Sequence, residues 1–176
     1  MKRIALFYGS SGGNTKKVAK MIANCFGNTK IYNIENASKN DLEAHDFLIF
    51  GIPTWGIGNM QFDWEDFSKV LRKANLKSKT VALFGLGDQI NYPDHFADAL
   101  GLLYWLLADK ADIIGRWPSA GYRFNKSKAL QNGYFHGLVL DMDNEEYLTI
   151  PRIERWCHLL RLEIENRSQF IPAIAN

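Results

Sequence analysis

The sequence predicts a doubly wound α/β fold, a parallel sheet with helices on both faces. Strand-like apolar runs alternate with helix-like stretches along the chain. Three of the runs end in short loops rich in Gly, Ser, Thr and Asn, where such a sheet places its ligands. With 176 residues the chain has the length of one domain, enough to bury a full core.

The first strand is expected over residues 4–8, a run of Ile, Ala, Leu, Phe and Tyr. Helix 1 follows over 14–26, with Val18, Met21, Ile22 and Cys25 on one face, and Gly27-Asn28 stops it. A short second strand lies near 30–33 and a third over 47–51. Helix 3 covers 64–74, strand 4 covers 80–85 and helix 4 covers 93–108. Strand 5 begins at 113–117, is broken by about 20 polar, Gly-containing residues, and resumes at 137–141. A last helix runs over 151–166. Residues 1–167 are read as one domain and 168–176 as a tail.

The chemistry lies in the loops. Gly9-Ser10-Ser11-Gly12-Gly13-Asn14-Thr15 follows strand 1 and opens helix 1. A helix N-terminus offers unpaired N–H groups and about half a positive charge, so a phosphate placed there needs no arginine. Gly12 and Gly13 let the backbone fold around an anion, and Ser10, Ser11 and Thr15 add hydroxyl donors. The Gly-Lys-Ser/Thr of a Walker loop is absent. The loop Pro53-Thr54-Trp55-Gly56-Ile57-Gly58 carries Trp55, and Gly87-Asp88-Gln89-Ile90-Asn91-Tyr92 carries Tyr92. Two aromatics beside a phosphate loop can clamp a planar ring, with stacking worth about 0.5–1.5 kcal/mol beyond area burial. A phosphate at one end and a flat ring at the other describe flavin mononucleotide (FMN).

Composition sets the outer bounds. Hydrophobic residues make up 47% and charged residues 23%, and the net charge of +2 does not demand a nucleic acid. No apolar run reaches the ~18 residues of a membrane span. The chain starts Met1-Lys2-Arg3 and goes straight into a strand, with no signal peptide. Cys25 and Cys157 lack metal-ligand spacing and are read as reduced thiols on helices of a cytoplasmic protein.

These motifs, with Trp117-Pro118-Ser119-Ala120-Gly121-Tyr122, residues 137–141, Asp143-Asn144 and residues 152–156, resemble the flavodoxins over nearly the whole chain. The interrupted fifth strand is similar to that of the long-chain bacterial group. The resemblance implies strand order 2-1-3-4-5 with the ligand at the switch point. It implies a phosphate held by Ser10 through Thr15 and a ring flanked by Trp55 and Tyr92. The Gly56-Ile57 peptide would lie beside the flavin N5 and reorient on one-electron reduction. Gly87 and Asp88 would meet the pyrimidine edge, and Asp143 the ribityl chain. The implied function is a one-electron carrier working between semiquinone and hydroquinone. A flavoprotein reductase such as ferredoxin/flavodoxin-NADP reductase would be its donor, and redox enzymes its acceptors.

The sequence departs from the family pattern at Gly12, where a hydroxyl residue is usual, and at Asn91, where Gly is common. Lys16 and Lys17 open helix 1 where acids are more usual.

Charge is unevenly spread. From Asn40 to Ser68 there are six acids (Asp41, Glu43, Asp46, Asp63, Glu65, Asp66) and no Lys or Arg. From Thr80 to Asp109 there are four, Asp88, Asp94, Asp98 and Asp109, again with no Lys or Arg. Both segments contain a ring-holding loop, so an acidic cofactor face is expected. A carboxylate ~10 Å from a flavin would disfavour an added electron by roughly 0.4–1.7 kcal/mol.

An FMN-dependent NAD(P)H:quinone or azo reductase is the alternative, but Trp55 and Tyr92 would obstruct the hydride donor on both faces. A flavin-free receiver module would need an acidic cluster after strand 1, where Gly9-Ser10 stands. Helix 4 carries the continuous apolar run 102–107, which one buried face cannot absorb. The run is read as a scattered exposed aromatic with no role, as a face that tail residues 170–174 fold over, or as a self-association or partner patch on a chain that is otherwise a monomer.

Overall fold

The computed structural model describes residues 2–169, the last two by their backbone alone. β1 (Ile4–Tyr8) leads through α1 (Asn14–Phe26) to β2 (Thr29–Asn33). A 3₁₀ turn at Ile34–Asn36 and α2 (Lys39–Glu43) precede β3 (Phe47–Trp55). β3 folds back on β4 (Asn59–Met60), and α3 (Phe62–Lys73) connects to β5 (Thr80–Leu86). α4 (Asp98–Leu107) leads to β6 (Asp112–Ile114), followed by β7 (Trp117–Pro118), β8 (Leu130–Gln131), β9 (Tyr134–Phe135) and β10 (Leu138–Leu140). A 3₁₀ turn at Glu146–Leu148 runs into α5 (Thr149–Gln169).

The parallel strands stand in the order β2-β1-β3-β5, and both β6 and β10 pair with the far edge of β5. β6 takes Thr80–Ala82 and β10 takes Phe84–Leu86, so the two pieces share one edge as a split fifth strand. The predicted order 2-1-3-4-5 is found in this form. Between the pieces, β7, β9 and β8 make a small antiparallel sheet.

The chain moves from β1 toward β2 through α1, and in the opposite direction afterwards. Right-handed crossovers therefore put α1 on one face and the connecting helices α2, α3 and α4 on the other. α1 packs against α5 on one face, and α3 against α2 and α4 on the other. Covered on both faces, β1, β3 and β5 are buried almost throughout, which is why they read as continuous apolar runs. Phe7, Phe50, Phe84, Trp64 and Trp156 are among the largest side chains of the core.

Several elements differ from expectation: α3 starts at Phe62, and the first piece of strand 5 ends at Ile114, with Trp117 pairing with β9 in the small antiparallel sheet. β3 continues through Trp55 because β4 pairs with its end, Thr54 opposite Met60 and Trp55 opposite Asn59. The second loop is thus a hairpin. α4 begins at Asp98 and not near residue 93, because the insertion holds the preceding turn: Asn125 and Lys126 N–H both donate to the Pro93 carbonyl. α2 was not anticipated; its signal was Ser38 and Asp41, which cap each other's backbone N–H groups. α5 runs to Gln169, and residues 170–176 of the expected tail lie outside the described residues.

Cys25 on α1 and buried Cys157 on α5 are both free thiols. Burial and the neighbouring Cys25 push the Cys157 thiol up, away from the reactive thiolate. No helix among the described residues is long and apolar enough to cross a membrane.

Candidate functional site

The carboxyl ends of β1, β3, β5 and β10 converge on a cleft of about 230 Å³. One end is built by the loop after β1. Gly13 stands before α1 with φ 90°, a conformation that side chains resist, and no side chain caps the helix among the described residues. The first N–H groups of a helix have no partner within it, and Asn14 and Thr15, the first residues of this one, line the cleft. No atom lies within 4 Å of where a Cβ would stand at Gly12 or Gly13, so the space above the loop is open. Ser10 Oγ accepts from Gly13 N–H at 3.0 Å, and Ser11 Oγ accepts from Gln61 Nε2 at 2.9 Å. Lys17 pairs with Glu146 at 3.3 Å and ties α1 to the turn before α5.

The other end carries the two aromatics. Trp55, the last residue of β3, meets the Phe62 ring edge-on at 5.8 Å. The hairpin beyond it turns through Gly56 (φ 49°) and Gly58 (φ 91°). A Cβ on Gly58 would stand 2.5 Å from Asp98 Oδ2, so this turn needs glycine for close approach as well as for φ. Tyr92 sits in a loop that Asp88 organises. The Asp88 carboxylate accepts from Ile90 and Asn91 N–H and from the Asn91 and Asn144 amides. Burial opposes its ionisation, but these bonds outweigh burial and hold the carboxyl below its ordinary value. Buried Asp141 accepts from Gln89 N–H at 3.0 Å and from Asn144, which joins the loops after β5 and β10.

Thirteen of the sixteen anticipated residues line this cleft. They are Ser10, Ser11, Gly12, Asn14 and Thr15; Pro53, Thr54, Trp55 and Gly56; Gly87, Asp88 and Tyr92; and Asp143. Gly13, Ile57 and Gly58 lie beside it and do not line it: Gly13 sets the helix start, Ile57 is 69% exposed, and Gly58 packs on Asp98. Leu86, His95 and Met142 line the cleft and were not anticipated. His95 was assigned to a helix that starts only at Asp98, and its Nδ1 lies 3.1 Å from Asp98 Oδ2. Met142 adjoins Asp143 and could have been found from it.

The expected acidic face is smaller than the charge count implied. Asp46 pairs with Arg3 just before β3 and β1, and its carboxyl is lowered to about 2 by those hydrogen bonds. Glu43 accepts from Asn75 N–H and pairs with Lys39, and Asp41 caps α2. These three, with Asp109 beyond α4, stand at the amino ends of the strands, away from the cleft. Asp98 is buried, accepts from Lys128 N–H at 2.7 Å, and lies 3.6 Å from the Lys128 ammonium and 3.1 Å from His95 Nδ1. What remains in the cleft wall is Asp88 and Asp143. Partial burial and repulsion by Asp88 and Asp141 raise the Asp143 carboxyl. Behind the anion end, burial with repulsion by Glu35 and Asp66 raises Asp63.

A family model described as Flavodoxin matches residues 6–156. The chain belongs to the flavodoxin family. Flavodoxin of Buchnera aphidicola is 48% identical over 160 residues, covering 89% of this chain and 94% of that protein. Flavodoxin 1 of Escherichia coli K12 is 43% identical over 163 residues, 90% of this chain and 93% of its own length. Among solved structures, Fusobacterium nucleatum flavodoxin bound to flavin mononucleotide superposes with TM-score 0.87 at 29% identity, covering 93% of this chain and 99% of that one. The split strand β6/β10 and its insertion fit the long-chain branch of the family.

Proposed function

We propose that this flavodoxin carries electrons one at a time on a tightly held FMN and performs no substrate chemistry of its own. One observation carries the reading: the uncapped start of α1 and the rings of Trp55 and Tyr92 line the same cleft. The residues present fit the ligand at both ends. The open, glycine-floored loop with two serine hydroxyls matches a phosphate, and the two aromatics match a planar ring.

Bound FMN supplies the redox chemistry. Ser10 through Thr15 hold and neutralise the phosphate through helix N–H groups and hydroxyls. Trp55 and Tyr92 orient the ring and keep water from its faces, and the Gly56-Ile57 turn closes one edge. Asp143, which lines the cleft, would meet the ribityl chain. With Asp88 it adds negative charge to the wall, which disfavours a further negative charge on the ring. The aromatic walls also leave a nicotinamide no face to stack on, so the reductase alternative is disfavoured.

Exposed Ile57, Ile90 and Phe62 stand on the hairpin, on the Tyr92 loop and against Trp55, and offer apolar contact to redox partners around the cleft mouth. We propose a flavoprotein reductase such as ferredoxin/flavodoxin-NADP reductase as donor, redox enzymes as acceptors, and a cytoplasmic monomer whose thiols stay reduced. The purified protein is expected to be yellow with one FMN per chain, and inert toward NADPH and a quinone until a reductase is added. A colourless chain that FMN cannot reconstitute would overturn the reading, and NADPH oxidation by the chain alone would restore the enzyme.

A further inference from the structure

We propose that Gln61, held by Asp63, sets the direction of the Ser11 hydroxyl and so makes Ser11 a hydrogen-bond donor to the phosphate. The inference rests on the FMN reading above.

Gln61 precedes α3 and is only 1% exposed, although it carries a polar side chain. Its Nε2 lies 2.6 Å from Asp63 Oδ2 and 2.9 Å from Ser11 Oγ. An ionised carboxylate only accepts hydrogen bonds, so Asp63 requires the amide nitrogen, not the oxygen, on its side. The two amide hydrogens are then divided between Asp63 and Ser11. A hydroxyl that accepts from Gln61 keeps its own hydrogen free, and Ser11 lines the cleft, so that hydrogen is available to an anion bound there. The reverse amide orientation would set oxygen against carboxylate and draw the Ser11 hydrogen inward.

The arrangement has a visible cost. Gln61 Oε1 is buried and has no hydrogen-bond partner among the described residues. It also lies where a Cβ on residue 9 would come within 2.4 Å of it, so Gly9 is what lets the amide sit against the loop. A side chain placed only to fill space would not leave an acceptor orphaned in the core.

Gln61 is a positioning residue in this scheme, and its effect must depend on the phosphate. The full-length chain, freed of flavin, is titrated with FMN and with riboflavin, which lacks the phosphate. Gln61→Met is expected to weaken FMN binding about tenfold, the scale of one hydrogen bond to a charged group, and to leave riboflavin binding unchanged. In a Ser11→Ala background the same substitution should have no further effect. Equal losses for both ligands, or a full effect with Ser11 already removed, would overturn the proposal. Should Gln61→Met fail to fold, Asp63→Asn, which satisfies either amide orientation, should give an FMN-selective loss smaller than the full tenfold; no change in the FMN-to-riboflavin ratio would overturn it. A wild-type chain that binds FMN no better than riboflavin would instead refute the phosphate site itself.

Discussion

At the scale of single residues, the aromatic walls give the most direct expectation. Trp55 has its rotamer braced by Phe62, whereas Tyr92 is 46% exposed on a loop that Asp88 holds from beneath. Trp55→Ala and Tyr92→Ala should each weaken FMN binding roughly tenfold or more, since each removes a stacking partner and its buried area. Fluorescence titration of the flavin-free chain measures both. His136 supports a different expectation, about stability. It is buried, its ring lies parallel to Tyr104 with centroids 3.4 Å apart, and burial together with Arg116 lowers its pKa from 6.5 to about 4. Between those values the unfolded chain binds a proton that the folded chain refuses. Stability therefore falls as pH drops from about 6.5 toward 4, by an amount on the order of 1–3 kcal/mol. His136→Phe keeps a ring against Tyr104 and removes the titration. Urea midpoints measured across this range should fall less steeply for the variant, and parallel pH profiles would show that other groups carry the loss.

At the scale of elements, α1 and α3 make an instructive contrast. α3 places Asp63 and Glu65 in its first turn and Arg72 and Lys73 in its last, which complements its dipole. α1 has no acid in its first turn, carries Lys16 and Lys17 there, and starts from a glycine that offers no cap. An N-terminus left this way is poor design for a free helix and suitable for one that receives an anion. Lys17 is already paired with Glu146, while Lys16 is exposed. The two charges therefore act on the phosphate through solvent and are screened over ~8 Å at physiological salt. Lys16→Glu/Lys17→Glu should lower FMN affinity severalfold at low ionic strength and much less at high salt. A loss that salt does not alter would mean that the lysines act through contact. At the next element, the left-handed turn at Gly56 and Gly58 lets the hairpin close on the buried Asp98, so the glycine pattern seen in the sequence serves α4 packing as much as the ligand.

For the whole molecule, the open question raised by helix 4 is association. Leu103 and Leu107 of α4 are buried, and Trp105 is 60% exposed. Its ring nevertheless stands edge-on to Tyr104 at 5.0 Å and to His136 at 5.8 Å, so it covers part of the joint between α4 and the insertion. That contact accounts for the residue without a second protein. The chain and its Trp105→Glu variant are expected to sediment as monomers over a wide concentration range, with the variant less stable. A wild-type mass that rises with concentration, and does so no longer in Trp105→Glu, would make this face an interface.

The sequence by itself determined the parallel strands, the helices α1, α3, α4 and α5 and most of the cleft wall. These follow from local signals: apolar period, helix stops, and loops whose glycines and hydroxyls lie within a few residues of one another. The split fifth strand was also legible, as two apolar pieces around a polar stretch. Only the tertiary structure decided that both pieces pair with β5, that β3 gains β4 and becomes a hairpin, and that α4 starts late enough to bring His95 to the site. It alone showed that Asp41, Glu43, Asp46 and Asp109 stand at the far end of the sheet, and that Asp98 is buried. It alone brought Gln61 within 2.9 Å of Ser11 across 50 residues of sequence. Charges and polar side chains take their meaning from partners distant in the chain, and no local pattern records which partner that will be.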